Sequence, residues 1–341
     1  MINSKIKIYF FYFLLICIFL ILLEVLCFIF FSLNLSSVFD WHFDQKAFSQ
    51  TYKSSSPYGW ISSEPMPRPG DYEGKECAVA FGDSFTFGEE VQPNETWENQ
   101  ASPLIGCKIS NYGVGGFGLD QALLLYEGTP TQSPLVIIGL YPEMMKRNLA
   151  ASWIFYGSQK DKPLKPYFIT DDENDTLKLV PMPESDSLEA IKAYHRHDLF
   201  FNAYNIKFPY SFHIIKAVII RGRQILSKRI GFLKDPRATE LQGKLLTRFR
   251  SAIEKNHARP AFLVFPSHIE MIKEEFNYLS QLQEDKALLP SDCVINPGPA
   301  LHAALKKDEK IFAPAGHLNQ QGNLIVAKTV ASQFQACQLL K

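Results

Sequence analysis

A parallel β-sheet covered by helices on both faces, a three-layer α/β/α sandwich, is the fold class this sequence predicts, preceded by one N-terminal transmembrane helix. Three observations predict it. From residue 76 onward short apolar runs of strand length alternate with longer stretches of helical character, the rhythm of strands joined by crossover helices. Glycine-containing turns close the first two of these runs, and the loops that leave strand tips form the ligand crevice of open α/β sheets. Ahead of this alternation lies one long, almost uninterrupted apolar run. The 341 residues suffice for one large domain or two ordinary ones. A composition 46% hydrophobic and 21% charged is that of a folded protein, and the formal net charge of zero gives no reason to expect a nucleic-acid partner.

The elements follow in chain order. Ile8 to Leu33 is apolar except for Tyr9, Tyr12, Glu24 and Ser32. At about 1.5 Å per residue it can cross a hydrocarbon core of about 30 Å as a helix. Lys5 and Lys7 precede it and Asp40 and Asp44 follow it. The positive-inside tendency therefore makes residues 1–34 a cytoplasmic tail and anchor in the inner (cytoplasmic) membrane and puts the remainder outside, in the periplasm if the source is Gram-negative. Neither Cys17 nor Cys27 has the small residues of a lipoprotein signal before it, and no Ala-x-Ala-like cleavage site follows. An uncleaved anchor is the expectation, a cleaved signal peptide the alternative. Glu24 is costly in lipid; it sits near the outer boundary, pairs with another helix or is protonated.

Residues 35–75, rich in Ser, Pro and aromatics, read as an extended connector that begins to pack on the domain. The domain then runs from 76 to 341. Its strand-like runs are Cys77–Phe81, Lys108–Tyr112, Leu135–Leu140, Ala261–Phe265 and Cys293–Ile295. Helices are expected over Thr96–Leu104, Gln121–Glu127, Glu240–Asn256, Ile269–Leu282 and Gln320–Leu339. An insertion at about 150–239 breaks the rhythm, with an acidic loop, "TDDENDTLKL", and then a basic, aromatic stretch from Lys207 to Arg237. That stretch can lie on an anionic membrane surface or face an acidic polymer; a solvated helix face capping the sheet is the preferred reading.

Of six cysteines, Cys77, Cys107, Cys293 and Cys337 lie outside the anchor, without the CxxC spacing of a metal site. Cys77 and Cys107 each open a predicted strand, and a disulfide joins them if those strands are neighbours. Four separate buried thiols is the preferred reading.

Three short blocks carry the chemistry. "AVAFGDSFTFGEEV", residues 78–91, puts Ser84 at the carboxyl end of a strand, with Gly82 letting the chain turn. "NYGVGGFGLDQ", residues 111–121, packs four glycines into six residues after the next strand, where a free backbone N–H can face a developing oxyanion. It lacks the GxxxxGK[ST] register of a phosphate-binding loop, and nucleotide binding is only weakly indicated. "APAGHLNQQGN", residues 313–323, carries His317 in a loop with Asn319 as the cap of the last helix.

The set resembles the SGNH/GDSL hydrolase family, with its flavodoxin-like fold: "FGDSFTFGEEV" looks like the family's first block, "NYGVGGFG" its second and "GHLNQQGN" its last, in the family's order. The likeness spans about residues 76–340, the insertion aside. It is greatest with a membrane-anchored envelope subgroup whose blocks read GDSFTFGEGV and NxGVxGYGxDQ. The resemblance implies that Ser84 is the nucleophile, His317 its general base, the N–H groups of Ser84 and Gly116 the oxyanion donors, and Asp83 a structural residue bonded into its own loop. Two of the family's parts are absent. The acid two or three residues before the histidine is replaced by Ala315 and Pro314, so the ring needs a main-chain carbonyl or a carboxylate from elsewhere. The asparagine that supplies a third oxyanion donor aligns with Met144; Glu143 and Asn148 are candidate substitutes. The function implied is a membrane-anchored extracytoplasmic serine esterase or deacetylase acting through an acyl-enzyme on acyl esters, with O-acetyl groups of an envelope polysaccharide as the substrate and the envelope polysaccharide machinery as partner. No metal or organic cofactor is implied. An O-acyltransferase of the same fold, or a glycan-binding assembly protein that has lost turnover, are the alternatives.

Overall fold

The computed structural model describes residues 4–32, 57–61, 65–152, 164–171, 173–185, 187–198, 208–216, 219 and 235–339. Five strands, β1 (Glu76–Gly82), β2 (Lys108–Gly113), β3 (Leu135–Leu140), β6 (Arg259–Val264) and β7 (Cys293–Ile295), make one parallel sheet in the order β2-β1-β3-β6-β7. All five are the predicted strands. The order reverses between β1 and β3, and the crevice outside the carboxyl ends of those two strands is where such sheets bind ligands.

Each strand is buried on both faces, and alternate residues face opposite layers. Val79, Phe81, Val136, Ile138, Phe262 and Val264 join one core with the helices Leu119–Gly128, Pro236–Lys255 and Asn277–Glu284. Ala78, Ala80, Ile137, Ala261, Leu263 and Ile295 join a second core with Trp97–Ile105, Gly298–Lys306 and Gln320–Leu339. The three-layer sandwich follows. Helix Pro236–Lys255 shows how local chemistry sets an element. Asp235 accepts a hydrogen bond from the Arg237 N–H, Pro236 stands at the first helical position, and Leu241, Leu245, Leu246, Phe249 and Ile253 make a buried stripe.

The structure departs from several expectations. The stretch Ile269–Leu282 is not one helix: His268–Lys273 stops at Glu274, whose φ of 57° closes its last turn, and Asn277–Glu284 starts afresh. The acidic loop is the turn of an antiparallel hairpin, β4 (Tyr167–Asp171) with β5 (Thr176–Val180). Gly82 serves close approach and not the turn itself: a Cβ there would lie 2.2 Å from Thr86 Oγ1 and 3.0 Å from the Gly139 carbonyl. The four cysteines outside the N-terminal apolar run are not thiols; Cys77 pairs with Cys107 and Cys293 with Cys337. The first pair follows from β1 and β2 being neighbours.

The N-terminal run is a helix, Ser4–Ser32, of which Lys5–Phe30 is long and apolar enough to cross a membrane. Most of the basic stretch lies outside the described residues. Its described part, helical over 210–216, lies beside this N-terminal helix.

Candidate active site

Ser84 opens a four-residue helix, Ser84–Phe87, directly after β1. Asp83 caps it, accepting from the Phe85 N–H at 3.0 Å, and Gly88 ends it with φ 77°. As the sequence suggests, Asp83 bonds into its own loop, and its second oxygen also meets the Arg147 guanidinium at 2.8 Å. The Ser84 N–H is one of the donors a helix start leaves over, and it has no hydrogen-bond partner among the described residues.

The glycine loop after β2 is locked to this turn. Val114 N–H donates to the Gly82 carbonyl at 3.1 Å, and the Asn111 amide donates to the carbonyl of Thr86 at 2.8 Å. A Cβ at Gly113 would fall 2.2 Å from Phe87 N, so only glycine lets the two segments approach. Gly116 takes φ 77°, and its N–H too has no partner among the described residues. Trp60 indole N–H donates to the Gly115 carbonyl at 3.0 Å. In a trans peptide the C=O and N–H point opposite ways, so Trp60 fixes the direction of the Gly116 N–H. Trp60, in the described part of the connector, thus packs against the glycine loop.

His317 sits in the loop ahead of the last helix, where Asn319 Oδ1 accepts from Gly322 N–H at 3.0 Å as the expected cap. Its ring packs 5.4 Å, centroid to centroid, from that of Phe85, the residue after Ser84. The Ser84 hydroxyl and the imidazole form no hydrogen bond with each other; contacts between such groups commonly tighten only in a Michaelis complex.

The missing acid is replaced by Glu90, which sequence reasoning did not identify. Its Oε2 lies 3.0 Å from His317 Nδ1, and its two oxygens also accept the N–H groups of Ala315 at 2.8 Å and His317 at 3.2 Å. Burial alone would raise the Glu90 carboxyl; the Ala315 amide, the imidazole and the His317 amide outweigh it and hold the group below its ordinary range. A carboxylate only accepts, so Nδ1 must donate, and Nε2 of the neutral ring is left as the acceptor that a general base needs. Glu90 has φ 68°, a left-handed conformation that favours glycine. The Arg68 guanidinium brackets this turn, donating to the carbonyls of Phe87, Gly88 and Val91 at 2.6 to 2.9 Å. The available signal was positional: Glu90 stands where the GDSFTFGEGV pattern has glycine, while the acid expected near His317 is gone.

The third donor is not assembled from the candidates. Asn148 is fully buried, its amide nitrogen donating to Gln242 Oε1 at 2.7 Å and its oxygen accepting from Asp120 N–H at 3.4 Å. Both ends of its amide are engaged in these buried contacts. Met144 is buried in the core. Glu143 meets the Arg147 guanidinium at 3.4 Å. Arg147 stands between the two loops instead: besides Asp83 it donates to the Phe117 carbonyl at 3.0 Å. Burial pushes the Asp83 carboxyl up, against the pull of Arg147. Among the described residues no three His, Cys, Asp or Glu side chains gather to hold a metal.

No protein-family model matches the chain, and no curated protein does. Among solved structures it is similar to a member of the lipolytic G-D-S-L family from Veillonella parvula, at 11% identity and TM-score 0.40, covering 76% of this chain and 97% of that one. It is also similar to a G-D-S-L family protein from Desulfitobacterium hafniense, at 13% identity and TM-score 0.38, covering 75% and 97%. A third likeness is to a carbohydrate esterase family 2 enzyme with a carbohydrate-binding domain from Corynascus thermopiles (Myceliophthora fergusii), at 12% identity and TM-score 0.39, covering 79% and 68%. At these values the likeness is one of outline, and the chemistry rests on the residues of the site.

Proposed function

We propose that this chain is a membrane-anchored serine esterase of the SGNH type. The observation that carries the reading is the Glu90 carboxylate 3.0 Å from His317 Nδ1, because it supplies the orienting acid whose absence from the last block is the main argument against turnover. Ser84 Oγ attacks the ester carbonyl as His317 Nε2 takes its proton. The tetrahedral oxyanion is met by the Ser84 and Gly116 N–H groups, fixed in place before the reaction. The imidazolium, paired with Glu90, returns the proton to the leaving alcohol, which departs and leaves an acyl-serine. Water then repeats the sequence, releasing the acid and restoring Ser84.

The helix Ser4–Ser32 supports an anchor, and Lys5 and Lys7, at its N-terminal end ahead of the apolar run, support a domain on the outer side of the membrane. In that setting O-acetyl groups on an envelope polysaccharide are the substrate we assign, by analogy of placement. Hydrolysis and transfer to a sugar hydroxyl share the same acyl-enzyme, and the acceptor decides between them.

The test is the detergent-solubilised full chain and its Ser84→Ala variant, each offered a fluorophosphonate probe and a small acetyl ester. Labelling and acetate release that depend on Ser84 are expected. No reaction from a folded wild-type chain would overturn the reading.

A further inference from the structure

The N-terminal helix carries one acid, Glu24, six residues or about 9 Å of helix before Phe30. If this helix spans the membrane, as proposed above, a lone carboxylate at that position is costly. Glu24 is not alone. It accepts from the backbone N–H of Tyr210 at 2.6 Å and of Ser211 at 3.1 Å, and from the Ser211 hydroxyl. Those amides open the helical residues 210–216. Helix starts leave N–H groups that water normally satisfies, and in hydrocarbon nothing but protein can. Each group therefore answers the other's need, and that need is acute only where water is absent.

The contact has a defined face. Leu23, Glu24, Cys27 and Phe30 are the half-buried positions of the outer half of the N-terminal helix, and the Phe28 ring lies 5.5 Å from that of Tyr210. On the incoming segment Tyr210, Ser211 and Ile214 are half-buried, while Phe208, Phe212, Ile215 and Ile219 are exposed by 70%, 61%, 58% and 51%. The spacing of Phe212, Ile215 and Ile219, all helical, puts large apolar side chains along one stripe, and Phe208 stands exposed just before the helix begins. Water is a poor solvent for such a stripe. It continues the lipid-facing surface of the helix it docks on. Lys216 lies within the same segment, and Arg221 and Arg223 come after Ile219 in sequence, the charges that anionic headgroups attract.

We infer that residues 208–216, with Ile219, are a second membrane contact: they lie in the leaflet on the domain's side, fastened to the anchor through Glu24, and present Phe208, Phe212, Ile215 and Ile219 to acyl chains. This rests on the reading of the N-terminal helix as an anchor.

The experiment uses the full chain in nanodiscs of phosphatidylethanolamine and phosphatidylglycerol, with a benzoylphenylalanine photocrosslinker placed singly at Phe212, at Phe19 in the anchor, or at Leu104, an exposed apolar residue of the α/β domain. Lipid adducts are expected at 212 and 19 and not at 104. Glu24→Ala is expected to lower the yield at 212 severalfold and leave that at 19 unchanged, and Glu24→Gln, which keeps an acceptor, to restore much of it. Adducts at 19 with none at 212, or adducts from 212 to protein in place of lipid, overturn the inference while the anchor stands. No lipid adduct at 19 overturns the anchor and the inference with it.

Discussion

Glu90→Gln replaces a carboxylate with an amide of the same shape, leaving an oxygen to accept the Ala315 N–H and so preserving the histidine loop. What it removes is the negative charge beside His317. The two side chains are 3.0 Å apart and 24% and 21% exposed. A unit charge pair near 4 Å is worth about 1 kcal/mol in bulk water and about 4 kcal/mol in the effective medium of a protein surface. Partial exposure puts this pair between those limits, at about 2 to 3 kcal/mol of imidazolium stabilisation, which corresponds to a loss of roughly 30- to 150-fold in kcat. That is less than the roughly 10⁴-fold cost of neutralising a fully buried triad acid. The assay is initial-rate hydrolysis of p-nitrophenyl acetate by wild type and variant, with circular dichroism and thermal unfolding as controls. The loss is expected in kcat with KM nearly unchanged, since Glu90 acts through His317 and does not face the ester. A folded variant within threefold of wild type, alongside an inactive Ser84→Ala, would refute Glu90 as the positioning residue.

Arg147→Met is expected to destabilise the fold by about 3 to 5 kcal/mol in urea unfolding, because it strands the fully buried Asp83 carboxylate; a loss under about 1 kcal/mol would show that the clamp is unimportant. Trp60→Phe removes the hydrogen bond to the Gly115 carbonyl and should lower kcat about two- to tenfold without unfolding the chain; unchanged kinetics would mean the Gly116 N–H needs no such support. Burial raises the Glu98 carboxyl well above its ordinary 4.5, so the folded state holds that proton longer than the unfolded chain and stability falls as pH rises above 4.5. Glu98→Gln should therefore shrink the difference in urea midpoint between pH 5 and pH 8, and an unchanged difference would assign it to other groups. Replacing Cys77 and Cys107 by serine reopens a loop with a sequence separation of 30, which chain entropy puts at roughly 3 to 4 kcal/mol of lost stability; a thermal midpoint indifferent to the change would contradict this.

The sheet was legible because its strands are short, apolar and buried on both faces, a pattern that survives without knowledge of the partners. Elements of four to six residues, such as Ser84–Phe87 and Glu143–Asn148, are too short to show a helical period. The break at Glu274 leaves no mark either, since glutamate is an ordinary helix former and only its φ of 57° stops the helix. The hairpin hides in an acidic loop because Thr176, Lys178 and Leu179 of β5 are exposed, so its alternation is weak. At the site, Ser84 and His317 stand out by their surroundings in sequence, whereas Glu90 meets His317 across 227 residues. That pairing is a fact of the fold alone. Asn148 shows the converse: its type suits an oxyanion donor, and only the structure reveals that Gln242 and Asp120 occupy it.

Ser84 and Glu90 belong to one ten-residue segment, 82–91, which Arg68 and Asn111 hold by its carbonyls. In the mechanism proposed above, nucleophile and orienting acid therefore form a cassette, and the reactive centre is completed across a single seam, where the His317 loop meets it. In the usual arrangement the acid travels with the histidine, and a graft of either block carries only half of the polar relay to its partner. Here a graft of residues 82–91 would bring both the attacking group and the base's partner, asking of the recipient scaffold only a histidine presented at the same seam. The same partition makes the C-terminal block the tolerant one: once the acid is supplied from across the seam, positions 314 and 315 are released from chemistry and are left to shape the loop.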